Sequence, residues 1–190
     1  FIHHNDITVD LSNGTIEHHS AEQVNWRVTV VDTGIESMTG GRLRRVAPYL
    51  DPEEPFCMTY GDGLGDIDIT AEIAFHRDHG LEATMCAVVP PGRFGAANIE
   101  NGRVTSFVEK PSIGNQRING GFFVLNRSVI DLIEGDATVW ERGPLERLCA
   151  AGQLAAFEHD GFWQPMDTLR EKMQFEELWN SGKAPWKVWG

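Results

Sequence analysis

No stretch of this 190-residue sequence holds the roughly 18–20 consecutive apolar residues that a membrane-spanning helix needs. The opening run Phe1-Ile2-His3-His4-Asn5-Asp6 has neither the basic start nor the long apolar stretch of a secretory signal. A cytoplasmic protein with no membrane partner is the expectation. Basic charge is scarce too: 16 Lys and Arg stand against 28 Asp and Glu, for a net charge of −12. That balance argues against a nucleic-acid partner, which uses a basic surface, while a small nucleotide neutralised by magnesium stays compatible with it. Cys57, Cys86 and Cys149 are odd in number, far apart and without CxxC spacing. They read as three buried thiols in a reducing compartment, not as a disulfide framework. Internal repeats, low-complexity segments and linkers are absent as well. One domain over 1–190 is expected, with 1–23 as an arm and 183–190 as a tail.

The arm carries His3, His4, His18 and His19, in a spacing that fits no zinc pattern, so a solvated arm or hairpin is the favoured reading. Short apolar runs then alternate with amphipathic stretches. Strands are expected at 24–31, 56–60 and 83–89, and helices at 42–50 and 69–79, the second ending at Gly80. This order predicts an α/β fold with a mainly parallel, Rossmann-like sheet. Asn101-Gly102 lies between the runs 96–100 and 103–108 and predicts an antiparallel hairpin insertion, because both turn positions favour positive φ. A strand at 120–125, helices at 128–133 and 145–151, a strand at 154–158 and a helix at 168–179 complete the pattern.

Tyr60-Gly61-Asp62-Gly63 ends a predicted strand, the edge at which open α/β sheets bind ligands. Flanking glycines allow close approach, and one carboxylate suits Mg²⁺, which takes one or two carboxylates with phosphate oxygens and water. An Asp in a Gly-rich turn is equally common, so on the motif alone both readings stand. Asp167 precedes the last helix, where Asp serves as an N-cap. In Phe107-Val108-Glu109-Lys110-Pro111, Lys110 offers a point charge to a phosphate and Glu109 an acceptor to sugar hydroxyls, against the alternative of an exposed ion pair. Two further Gly-rich turns are Pro91-Gly92-Arg93-Phe94-Gly95 and Ile118-Asn119-Gly120-Gly121. Ser37-Met38-Thr39-Gly40-Gly41-Arg42 opens a helix with glycines, hydroxyls and free amides, features that suit an anion or a base edge. It lacks the Gly-Lys-Ser/Thr ending of a Walker A loop. Asp66-Ile67-Asp68 would serve a metal-dependent glycosyltransferase, although Asp is expected there as a helix cap. The six tryptophans read as core or subunit contacts, with Trp163 the possible base stacker.

Taken in order, VDTG at 31–34, SMTGGRLRRV at 37–46, TYGDG at 59–63, PPGRFGA at 90–96, FVEKP at 107–111, INGGFFVL at 118–125, FWQPMDT at 162–168 and KAPWK at 183–187 resemble the sugar-1-phosphate nucleotidylyltransferases. The SMTGGRL and FWQPMDT forms resemble the branch that transfers a cytidylyl group to glucose 1-phosphate. The resemblance implies CTP and glucose 1-phosphate as partners, CDP-glucose and pyrophosphate as products, Mg²⁺ as cofactor and a homo-oligomer. It implies that Asp62 and Asp167 are the two metal ligands, and that Asp62, Lys110 and Asp167 are catalytic. Glu109 and Lys110 would hold the sugar hydroxyls and phosphate. Gly95 and Asn119 would line the sugar, with Gly61 and Arg42 on the nucleotide side.

Members of that family begin with a strand, a Gly-x-Gly-Thr-Arg loop and a Lys-Pro segment that cradle the triphosphate, and none is found here. The resemblance therefore implies a nucleotidyltransferase sheet incomplete at the N-terminus. A non-catalytic sugar-nucleotide-binding or assembly subunit without the triphosphate loop is the alternative. The chain by itself is expected to be inactive, and detectable CTP–pyrophosphate exchange by it would refute that expectation.

Overall fold

The computed structural model describes residues 7–19, 26–91, 96–108 and 117–189. The chain divides into two compact units, Phe1–Asp32 and Thr33–Gly190. In the first, β1 (Ile7–Asp10) and β2 (Thr15–His18) form an antiparallel hairpin with Asp10 opposite Thr15. The Asp10 carboxylate closes the turn by accepting from Ser12 N at 2.8 Å, and Gly14 takes φ +71° while its N–H donates to Asp10 O at 2.9 Å. The hairpin reading of this arm is met; His3 and His4 lie outside the described residues. The strand expected at 24–31 is not found over its described part. Trp26, Val28 and Val30 alternate as a strand would, yet all are exposed. An alternating pattern buries nothing without a partner strand, and none pairs here among the described residues.

The second unit contains, in chain order, α1 (Thr39–Val46), β3 (Phe56–Thr59), β4 (Gly63–Gly65), α2 (Ile69–His79) and β5 (Ala83–Val88). There follow β6 (Ala96–Glu100), β7 (Arg103–Val108), β8 (Ile118–Leu125), α3 (Pro144–Ala150), β9 (Leu154–His159), β10 (Trp163–Pro165) and α4 (Leu169–Asn180). A 3-10 turn at Ala47–Tyr49 extends α1, and another at Arg127–Leu132 stands where a helix is expected at 128–133. The main sheet has four strands in the order β3-β8-β5-β9. Strands β3, β5 and β9 point the same way, and β8 runs against them, inserted between β3 and β5. The expected α/β fold holds, but the central sheet is mixed and not mainly parallel, because β8 makes two of its three pairings antiparallel. Strands β6 and β7 form the predicted hairpin at Asn101-Gly102, where both residues adopt positive φ.

Alternation along β8 divides its side chains between two faces. Phe123 and Leu125 join Leu43, Ala47, Ala83, Val129, Ile130, Trp140 and Leu148 in the larger core cluster. On the other face Phe122 packs with Ile67, Cys86, Val88, Phe157 and Trp163. The predicted apolar face of α1 is the one that packs, since Val46 and Leu50 flank Leu43 and Ala47. Of the three cysteines only Cys86 is buried. Cys57 lies on edge strand β3 and Cys149 on the outer side of α3, both exposed, so the expectation of three buried thiols is corrected. Trp186 folds back against Phe175 at 5.1 Å and Phe162 at 5.7 Å between ring centroids. The tail thus packs on its own chain.

Helix α2 spans the predicted residues. The Asp68 side chain caps its start by accepting from Ala71 N at 2.9 Å, and Gly80 ends it at φ +66°. Its inner side carries two polar residues. His76 is satisfied, with Nδ1 3.0 Å from Thr84 Oγ1 and Nε2 3.1 Å from Asn126 Oδ1. Glu72 is 1% exposed and its Oε1 has no hydrogen-bond partner. Burial pushes its carboxyl up from 4.5 to about 7. A shift of that size corresponds to roughly 3 kcal/mol, at the top of what burying a Leu side chain gains. The folded state holds the neutral acid, so stability is expected to be flat below about pH 4.5, to fall as pH rises to about 7, and then to level off. Glu72→Gln is expected to remove that slope and to raise the urea midpoint at pH 8 while leaving it little changed at pH 4.

Candidate functional site

The site is organised around an irregularity in β8. Met85 of β5 faces Phe123, but Ala87 faces Asn119, so Gly120, Gly121 and Phe122 stand opposite Cys86 alone. The bulge needs both glycines. A Cβ on Gly120 would lie 2.6 Å from Val88 Cγ1. Gly121 has φ +76°, and a Cβ there would lie 2.7 Å from Tyr60 Cδ2. The Asn119 carboxamide fastens the bulge by accepting from Gly121 N at 2.8 Å. Two segments attach to it: Tyr60 N donates to Gly121 O at 3.0 Å, and Trp163 Nε1 donates to Gly120 O at 2.8 Å. Trp163 is therefore a structural fastener here.

Those two attachments lead to the two aspartates. Strands β4 and β10, which no local pattern predicts, pair antiparallel with Gly63 opposite Pro165 and Gly65 opposite Trp163. Met166 N continues the ladder by donating to Asp62 O at 2.7 Å. Asp62 and Asp167 thus sit at the same end of one short ladder, and both are exposed. Asp167 is not the N-cap of α4. Thr168 takes that place in a capping box with Glu171, whose carboxylate also accepts from Asp167 N at 2.9 Å. Exposed carboxylates in this number are the donors magnesium uses, with water and phosphate oxygens completing its shell. Among the described residues no three His, Cys, Asp or Glu side chains cluster as a closed metal cage.

The start of α1 departs from expectation. Its amides are not free: Met38 N donates to Asp136 O at 2.9 Å, and Gly40 N and Gly41 N donate to Thr138 O at 2.9 and 3.2 Å. A Cβ on Gly40 would lie 2.8 Å from Thr138 O, and one on Gly41 would overlap Asp136 O. These glycines serve close packing against the 136–138 turn, and the anion-binding reading of the amides is corrected. Arg42 is held by the turn before it, with Nη1 donating to Thr33 Oγ1 at 2.8 Å and Nη2 to Ile35 O at 3.2 Å. A cavity of about 260 Å³ opens between α1 and β3, lined by Thr39, Arg42, Leu43, Met58, Tyr60 and Trp140 among others. Two of its lining residues converge on the half-buried Glu141: Tyr60 OH donates to Oε1, and Thr39 Oγ1 donates to Oε2 at 2.8 Å. Burial first, and then the bond to Glu141, push the Tyr60 phenol above its ordinary range.

Gly95, Glu109 and Lys110 lie outside the described residues. Next to that gap Arg117 is pinned at the ends of β5 and β9, donating to Ala87 O, His159 O and Asp160 Oδ1. Asp66-Ile67-Asp68 does not form a metal motif, since Asp68 caps α2 and Asp66 Oδ1 lies 3.0 Å from His159 Nε2.

The family described as nucleotidyl transferase matches residues 14–165. The chain belongs to the nucleotidyl transferase family. Two glucose-1-phosphate cytidylyltransferases, from Salmonella typhi and Salmonella typhimurium, are each 57% identical to it over 189 residues, 100% of this chain and 74% of theirs. The solved structure of HddC from Yersinia pseudotuberculosis shares the fold with a TM-score of 0.56 at 23% identity, over 75% of this chain and 62% of that one. Among the described residues of this nucleotidyltransferase, no helix is long and apolar enough to cross a membrane.

Sequence reasoning did not single out Glu141 or the β4–β10 ladder. Glu141 carries no local motif, and its partners lie 81 and 102 residues away. The bulge itself is testable. Gly121→Ala is expected to cost about 2–4 kcal/mol, combining left-handed strain with overlap on the Tyr60 ring. Gly61→Ala, whose Cβ would meet nothing within 4 Å, is expected to change stability by less than about 0.5 kcal/mol. Urea denaturation with an unchanged m-value is the measurement.

Proposed function

We propose that this nucleotidyltransferase chain serves the transfer of a cytidylyl group from CTP to α-D-glucose 1-phosphate, giving CDP-glucose and pyrophosphate. The supporting observation is the 57% identity to two proteins of that name along the whole chain. A sugar phosphate oxygen attacks the α-phosphorus in line, and pyrophosphate leaves from the opposite side. The nucleophile is already an anion near neutral pH, so no general base is required. That removes the need for a Ser/His/Asp set. The obstacle is repulsion between two polyanions and the alignment of the attack.

Asp62 and Asp167 would hold Mg²⁺, which supplies charge neutralisation at the phosphates. Their position at one end of the β4–β10 ladder supports this pairing. Lys110 would add a positive charge at the sugar phosphate, and Glu109 would accept from sugar hydroxyls. Asn119 and Gly95 would line the sugar. Gly61 is exposed, and added bulk there would meet no neighbour within 4 Å, which suits a nucleotide lying against it. Arg42 would act on the nucleotide side from its place beside the cavity.

Calorimetric titration of the chain with CDP-glucose is the test. Binding is expected in Mg²⁺ and weaker in EDTA. Asp62→Asn and Asp167→Asn are each expected to remove the Mg²⁺-dependent part, a loss of at least about tenfold, with far-UV circular dichroism unchanged. Equal binding of UDP-glucose and CDP-glucose would overturn the base assignment. A co-structure whose cation failed to touch both aspartates would overturn the metal site.

A further inference from the structure

We infer that Glu141 is a positioning residue that locks the 60–63 turn to the start of α1, and so sets how Asp62 meets the Mg²⁺-bound nucleotide. The last clause rests on the function proposed above; the lock itself does not.

Three segments distant in the chain meet at this carboxylate. Oε1 accepts from Tyr60 OH and Oε2 from Thr39 Oγ1 at 2.8 Å. Neither hydroxyl is loose. Thr39 Oγ1 also accepts from Trp140 N at 2.9 Å, which turns its own proton toward Glu141. Tyr60 has its backbone bonded to Gly121 and its ring edge-on to Phe123 at 6.0 Å. The ring therefore acts as a strut from the β8 bulge to Glu141. Asp62 follows Tyr60 by two residues and has its own carbonyl bonded to Met166 N. The position of the turn is thus set from β8, from β10 and from Glu141. Among the described residues the last of these joins it by hydrogen bonds to α1, whose Thr39, Arg42 and Leu43 share the cavity with Tyr60.

The chemistry selects a carboxylate. Two hydroxyl donors arrive, one at each oxygen, and both oxygens of an ionised Glu accept. A Gln of the same shape has one oxygen and an NH₂ group, so one hydroxyl loses its acceptor. A shorter Asp does not span the same distance. Hydrogen bonds to an ionised carboxylate are the stronger kind, which favours one fixed arrangement of the two hydroxyls.

The lock can be read without any ligand. The sequence has only two tyrosines, Tyr49 and Tyr60, so in a Tyr49→Phe background a ¹³Cζ-tyrosine label reports Tyr60 alone. Thr39→Val is expected to shift that signal when Glu141 is present and to leave it unmoved in Glu141→Gln. Absence of a shift in the Glu141 protein would overturn the lock.

The functional half is read from CDP-glucose titrations with Mg²⁺ and with EDTA. Glu141→Gln, Tyr60→Phe and Thr39→Val are each expected to weaken binding about tenfold in Mg²⁺ and little in EDTA. A purely structural role would lower the thermal midpoint and leave that difference intact, which would overturn the positioning role. Should Glu141→Gln fail to fold, Tyr60→Phe and Thr39→Val carry the test. Their double variant is expected to lose no more than either single one, and additive losses would overturn the lock. A parent protein that takes no CDP-glucose would overturn the proposed function and the functional half together, while the tyrosine signal would still decide the lock.

Discussion

The arrangement of this site depends on two glycines that let β8 bulge. Without a side chain at Gly120, Val88 comes close beside it; without one at Gly121, the Tyr60 ring comes close to the strand. The bulge turns two backbone carbonyls outward, and these are the acceptors for Tyr60 N and Trp163 Nε1. Each of those residues begins or borders a strand of the small β4–β10 ladder. A regular β8 would send the same carbonyls into the ladder with β5, and the ladder that carries Asp62 and Asp167 would lose both hydrogen bonds. The bulge is thus the point at which sheet regularity is given up to seat a site, a common use of such irregularities.

Much of the fold was legible because its signals are local. Asp68 and Gly80 delimit α2 by cap chemistry, and Asn101-Gly102 sets the hairpin by its φ preference. The face of α1 follows from the spacing of Leu43, Val46, Ala47 and Leu50. What escaped was decided by partners far along the chain. The strand expected at 24–31 has the right alternation and no partner among the described residues. The glycines at 40 and 41 look like an anion cradle until the 136–138 turn is seen filling it. Asp167 looks like a cap until Thr168 is seen to hold that place. Glu141 reads as an unremarkable acid, because its role exists only where Thr39 and Tyr60 converge on it.

An acidic chain of net charge −12 gives a polyanionic substrate no long-range attraction. Its described site adds further carboxylates, Asp62, Asp167 and Glu141. Two of these are exposed and suited to a cation, and the third is turned inward and occupied by hydroxyls. In the function proposed above, the same functional group would serve two purposes within one site. Hydroxyl donors at both oxygens make Glu141 a joint between backbone segments.

The β4–β10 ladder is three residues long and joins segments about a hundred residues apart. Closing so long a loop costs chain entropy before so few contacts can repay it. The ladder is therefore expected to form late in folding, after the main sheet has brought β8 and its bulge into place. The two aspartates therefore meet only where a sheet built from distant segments brings their ladder together.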